Sequence, residues 1–74
     1  MPKLPIVSGK KLTKSLERIG FIVVRQTGSH LLLEHTDGRI TSVPIHGNKD
    51  LPPGTLRGIL RDIEISAEDL RGIL

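Results

Sequence analysis

The sequence predicts an α+β fold of order α-β-β-β-α: a three-stranded antiparallel sheet with helices packed on one face, and a short extra C-terminal helix. Three observations carry this prediction. Apolar residues recur at helical spacing towards each end of the chain, and three β-branched and aliphatic runs separated by glycine-bearing turns lie between them. The length, 74 residues, suits one domain with a thin core. With 36% hydrophobic residues, one Phe and neither Trp nor Tyr, that core must come from Leu, Ile and Val, which argues against a large cofactor pocket. Residues 1–74 therefore read as a single domain, and no cofactor is expected.

Ser8 suits an N-cap, and Leu12, Leu16 and Ile19 follow at helical spacing, so the first helix is expected over Gly9 to Ile19 with Gly20 as its stop. Its outer face carries Lys10, Lys11, Lys14, Glu17 and Arg18. A solvated face and a surface for RNA phosphates account for those charges equally well.

Phe21 to Gln26, His30 to His35 and Ile40 to His46 read as strands. Between the second and third, Thr36-Asp37-Gly38 suits a three-residue loop, which pairs His35 with Arg39. Residues paired across an antiparallel ladder share a face. Leu31, Leu33, Thr41, Val43 and Ile45 then lie beneath the helices, while His30, Leu32, Glu34, Ile40, Ser42, Pro44 and His46 face outward. A two-residue Asp-Gly turn would slip the register by one and set His30 among Val43 and Ile45. The first register separates apolar from polar positions more cleanly. The same geometry at Thr27-Gly28-Ser29 sets Gln26 opposite His30 and aligns Phe21 and Val23 with the covered face. Ile22 and Val24, with Leu32 and Ile40, then form an apolar patch on the open face, suited to a protein partner.

Gly47-Asn48-Lys49-Asp50 reads as a loop, and Leu51-Pro52-Pro53-Gly54-Thr55 leads into a helix with apolar residues at Leu56, Ile59, Leu60 and Ile63. Ser66-Ala67-Glu68-Asp69 is a further N-cap signal, opening the terminal helix that carries Leu70, Ile73 and Leu74. Leu56-Arg57-Gly58-Ile59-Leu60 recurs as Leu70-Arg71-Gly72-Ile73-Leu74, but a pentapeptide repeated without its strands does not make a repeat protein.

Eleven Lys and Arg against eight Asp and Glu give a formal charge of +3, a mild bias towards polyanions. Zero cysteines exclude disulfides, thiolate nucleophiles and zinc fingers, and fit a reducing cytoplasm. No clustered carboxylate or His/Cys set suggests a metal. The apolar run from Met1 to Val7 is too short for a secretory signal, and nothing later approaches membrane-spanning length, so a soluble cytoplasmic protein is expected.

Gly28-Ser29-His30 is the stretch that carries chemistry: a tight turn delivers an imidazole to the start of an apolar strand in a basic chain. Histidine titrates near neutrality, which suits proton transfer on an anionic substrate, and nucleic acid is the obvious one. Most lone histidines are structural, and that reading stands beside it.

Taken with the leading helix, the segments Gly20-Phe21, Gly28-Ser29-His30, Val43-Pro44-Ile45-His46-Gly47-Asn48 and Pro53-Gly54-Thr55-Leu56-Arg57-Gly58-Ile59-Leu60 resemble a HicA-type (YcfA-like) toxin of toxin-antitoxin pairs. The resemblance runs from about Ser8 to Ala67. It implies a fold similar to a double-stranded-RNA-binding domain, acting as a metal-independent mRNA interferase that a HicB-type antitoxin neutralises. His30 corresponds to the family's catalytic histidine.

Metal-free RNA cleavage requires deprotonating a 2′-hydroxyl, stabilising the phosphorane and protonating the leaving oxygen. His30 can take the first role; for the last, His46, a water or a basic side chain are open. His46 also reads as a strand-end histidine bonded to the following turn, and Ser29, like His46, is a candidate accessory acid or substrate contact. Arg25, Lys49, the helix start at Thr55, Arg57, Lys10 and Lys14 are expected to hold RNA phosphates, with solubilising charge as the alternative for Arg25 and Lys49. His35 is expected to be solvated, and Glu34, ~13 Å along the strand from His30, is a poor orienting partner. The lack of exposed aromatics favours backbone and 2′-hydroxyl contacts over base stacking. A non-catalytic double-stranded-RNA-binding module of the same fold, and an interaction domain using the apolar sheet face, remain alternatives.

Overall fold

In the computed structural model, which describes residues 4–74, Ser8 is extended at φ −77° and ψ 158° and its hydroxyl accepts the Lys11 amide at 3.1 Å. The start of the N-terminal apolar run, residues 1–3, lies outside the described part. The cap opens helix α1 (Gly9–Arg18), which ends one residue before the expected Ile19. Leu12 and Leu16 are fully buried. Thr13 and Ser15 are buried as well, and their hydroxyls donate one turn back to the Gly9 and Lys11 carbonyls, which removes the cost of burying them. A Cβ on Gly9 would overlap the Pro44 carbonyl oxygen, so only a residue without a side chain lets the start of α1 touch the sheet there.

Strands β1 (Phe21–Thr27), β2 (His30–His35) and β3 (Ile40–Pro44) form an antiparallel sheet in the order β1-β2-β3. Between β2 and β3 the expected register is observed: the His35 amide donates to the Arg39 carbonyl at 2.9 Å, and Leu33 and Leu31 face Thr41 and Val43. Strand β3 stops at Pro44, short of the expected His46. Its partner has already reached the β1-β2 turn, so after the Ile45 amide donates to the Ser29 carbonyl nothing remains to pair with.

The β1-β2 connection differs from expectation. Thr27, not Gln26, faces His30, and the turn is the two residues Gly28-Ser29 with Gly28 at φ 56° in the first central position, as a type II′ hairpin demands. A bulge at Val24, between the pairs Val23-Leu33 and Arg25-Leu32, then shifts the ladder back by one. Beyond it Phe21 faces His35, and the register is the expected one. The bulge absorbs the residue that the shorter turn releases, so that Phe21 is buried and Val23 half-buried on the helix side. Ile22, Val24 and Ile40 are left 58%, 51% and 47% exposed on the open face, with Leu32 half-buried among them.

Helix α2 (Pro53–Ile63) begins with proline in its first turn and buries Leu56, Ile59, Leu60 and Ile63. Helix α3 (Ala67–Ile73), capped by Ser66, buries Leu70 completely, and Arg18 Nη1 donates to the Ile73 carbonyl at 3.2 Å, tying α1 to α3. These residues join Val7, Phe21, Leu33, Val43 and Leu51 in one hydrophobic core between helices and sheet. Two contacts fix the direction of the helices over the sheet. Gly9 abuts Pro44 at one end, while at the other Thr41 Oγ1 donates to Asp62 near the end of α2 at 3.1 Å. The N-termini of α1 and α2 therefore gather at the His30 end of β2, and their C-termini at the His35 end.

Candidate active site

His30 is exposed, and among the described residues no hydrogen bond engages its imidazole. Its backbone is held from two sides. The type II′ turn sets Thr27 opposite it, β3 pairs it with Pro44, and the bond from the Ile45 amide to the Ser29 carbonyl pins the turn itself. The ring thus projects from a fixed hairpin end onto the open face, where the expected register places it.

The other expected residues divide between two sides of that hairpin. Arg25 pairs with Leu32 and so shares the open face with His30. His46 is exposed just past Pro44, and its carbonyl accepts the Lys49 amide at 3.0 Å, closing a turn with Gly47 at φ 59°. Ser29 is half-buried and uses its carbonyl structurally. Thr55 and Arg57 lie in the opening turns of α2, whose N-terminus has no side-chain cap and leaves amides available at the His30 end. Lys10 and Lys14, both exposed, line a cleft on the helix side of the sheet with Gln26 and Leu31. That cleft faces away from the imidazole.

His35 corrects one expectation, because it is not solvated. Its side chain is 19% exposed, Nε2 donates to the Ile19 carbonyl at 3.0 Å, and Nδ1 accepts the Asp37 amide at 3.1 Å. The ring meets Phe21 edge-on, with centroids 5.0 Å apart. Gly20, at φ 104°, makes room for it, since a Cβ there would lie 2.7 Å from Nε2.

Arg39 completes this cluster. Its Nη2 lies 2.8 Å from Asp37 Oδ2, its Nη1 donates to the Ile63 carbonyl at 2.7 Å, and its guanidinium sits 5.1 Å from the centre of the Phe21 ring. Hydrogen bonds from the Arg39 side chain and amide hold the Asp37 carboxyl below the usual carboxylate range, and Asp37 in turn raises Arg39. Sequence reasoning missed this cluster. The signal within reach was the ladder parity, which places His35 on the covered side.

Among the described residues, no group of three or more His, Cys, Asp or Glu comes together as a metal site, and no helix is long and apolar enough to cross a membrane. A search of curated proteins finds no match. Residues 9–65 match the family model of the HicA toxin of bacterial toxin-antitoxin systems.

Proposed function

Because the chain belongs to the HicA toxin family, we propose that it is an endoribonuclease acting on mRNA in the cytoplasm, with His30 as its proton-transfer group and a HicB-type antitoxin as its inhibitor. The observation that supports this reading best is the exposed imidazole of His30, which no other described residue hydrogen-bonds, on the open face at the end of the β1-β2 hairpin.

The neutral His30 ring takes the proton from a ribose 2′-hydroxyl, whose oxygen attacks the adjacent phosphorus. Arg25, Lys49, the Arg57 guanidinium and the unbonded amides of the first turn of α2 around Thr55 stabilise the charge that gathers on the phosphorane. As the bond to the 5′-oxygen breaks, that oxygen takes a proton from His46 or from water, leaving a 2′,3′-cyclic phosphate and a 5′-hydroxyl. The nucleophile belongs to the substrate, so RNA is cut and DNA is not. The apolar residues Ile22, Val24 and Ile40 beside the imidazole suit a protein that covers this face, and the antitoxin is the natural occupant.

The test is incubation of purified protein with RNA in the presence of EDTA. Wild-type protein cleaves, and His30→Ala binds RNA but cleaves about 10²- to 10⁴-fold more slowly. Equal cleavage by the two proteins would refute the assignment. In cells, expression of the wild-type chain is expected to arrest growth, and co-expression of a cognate HicB-type antitoxin to relieve it.

A further inference from the structure

The helix side of the same hairpin carries a second surface, which the proposed chemistry does not use. Lys10, Lys14 and Glu17 follow one another along a single stripe of α1 and line an open cleft of about 640 Å³. Its floor is hydrocarbon: Val23, Leu31 and Ile45 pack against the core with one side and leave the other open to the cleft. We propose that this cleft is a docking site for an acidic amphipathic segment of a partner protein, whose aliphatic side chains enter the floor while its carboxylates meet Lys10 and Lys14. The site stands whether or not His30 cleaves RNA.

Charge and floor together select this occupant. Two ammonium groups one helical turn apart attract carboxylates, and Glu17 at the far end of the stripe repels them, so the segment lies with its acidic end towards the start of α1. Nucleic acid fits less well. No aromatic ring lines the cleft to stack a base, and although Lys10, Lys14, Gln26 and Asn48 offer a phosphate polar contacts at the rim, the aliphatic floor of Val23, Leu31 and Ile45 offers it none. An aliphatic side chain instead displaces water from that floor at about 25 cal/mol per Å² of apolar surface covered. The volume lies within the roughly 300–1,000 Å³ typical of binding pockets, which suits a few anchoring side chains on a helix or turn.

Nitrogen-15-labelled protein, titrated with a short synthetic peptide carrying leucines at helical spacing among glutamates, tests the proposal. Two control peptides replace the leucines by serine or the glutamates by glutamine, and a short single-stranded RNA is titrated in parallel. Saturable shifts are expected at the amides of Thr13, Lys14, Gln26, Leu31 and Ile45. Affinity should fall at least about tenfold for either control peptide, and equally for the Lys10→Glu/Lys14→Glu variant, whose exposed positions leave the fold intact. RNA should move these amides more weakly than the peptide. No saturable shift at about millimolar peptide, control peptides that bind as well as the first, shifts confined to the open sheet face, or RNA that moves the same amides as tightly would each overturn it.

Discussion

His30 and His35 begin and end the same strand, yet one ring is exposed with no hydrogen bond from the described residues and the other is bonded at both nitrogens. Their odd separation in a period-two element puts them on opposite faces. His35 turns inward at the end where α1 and α2 finish, and unpaired helix-end carbonyls supply partners: Ile19 for His35 itself, Ile63 for the neighbouring Arg39. His30 turns outward at the end where the helices begin. Helix starts offer amides rather than carbonyls, and they favour an anionic ligand over a basic side chain. The same residue type is thus a fastener at one end of β2 and an exposed side chain at the other.

The sharpest way to break this comparison is to remove each ring in turn. His30→Ala should lower RNA cleavage by about 10²- to 10⁴-fold and change unfolding free energy by no more than about 0.5 kcal/mol, as for other exposed substitutions. His35→Ala should destabilise the fold by about 2–4 kcal/mol, from two hydrogen bonds and an aromatic contact. Cleavage assays on folded protein and urea unfolding of both variants read this out; similar stability losses would erase the distinction.

A smaller effect is expected at Gly20. Gly20→Ala should cost about 1–2 kcal/mol or more, because its φ of 104° disfavours a side chain and the new methyl would press on the His35 ring. In a His35→Ala background the steric part disappears while the backbone part remains, so the two losses should sum to more than the double variant shows. Additive losses would mean that Gly20 serves the backbone alone.

The smallest effect concerns acid. Asp37 titrates below its ordinary range in the folded chain because of Arg39, so its contribution is present above the unfolded pKa and is lost as pH falls through the folded one. Wild-type protein should therefore lose more stability than Asp37→Asn over that acidic interval, measured by thermal melting at stepped pH. Parallel acid limbs would show that the pair at the His35 end does not feel the charge.

Much of this difference is legible in the sequence. The Thr36-Asp37-Gly38 loop fixes the pairing of His35 with Arg39, and from it follows which face each histidine takes, because a type I turn with a following glycine is decided by adjacent residues. The Gly28-Ser29 turn escapes a sequence reading for the opposite reason. A three-residue loop, and a two-residue turn with a bulge further along, deliver Phe21 and Val23 to the same face, and the local sequence does not separate them. The solvated reading of His35 fails because its partners come from chain ends that helix packing brings in.

The helical and strand periods, the caps at Ser8 and Ser66, the outward face of His30 and the aliphatic core positions were determined by the sequence alone, since each depends on neighbours within about one turn or one ladder step. Only the tertiary structure decided the bulge at Val24, the bonds of His35 and Arg39 to carbonyls 16 and 24 residues away, and the cleft beneath α1. These features arise where separate elements meet, and their geometry is set by how the helices close over Phe21 and Leu33, a contact that no local pattern encodes.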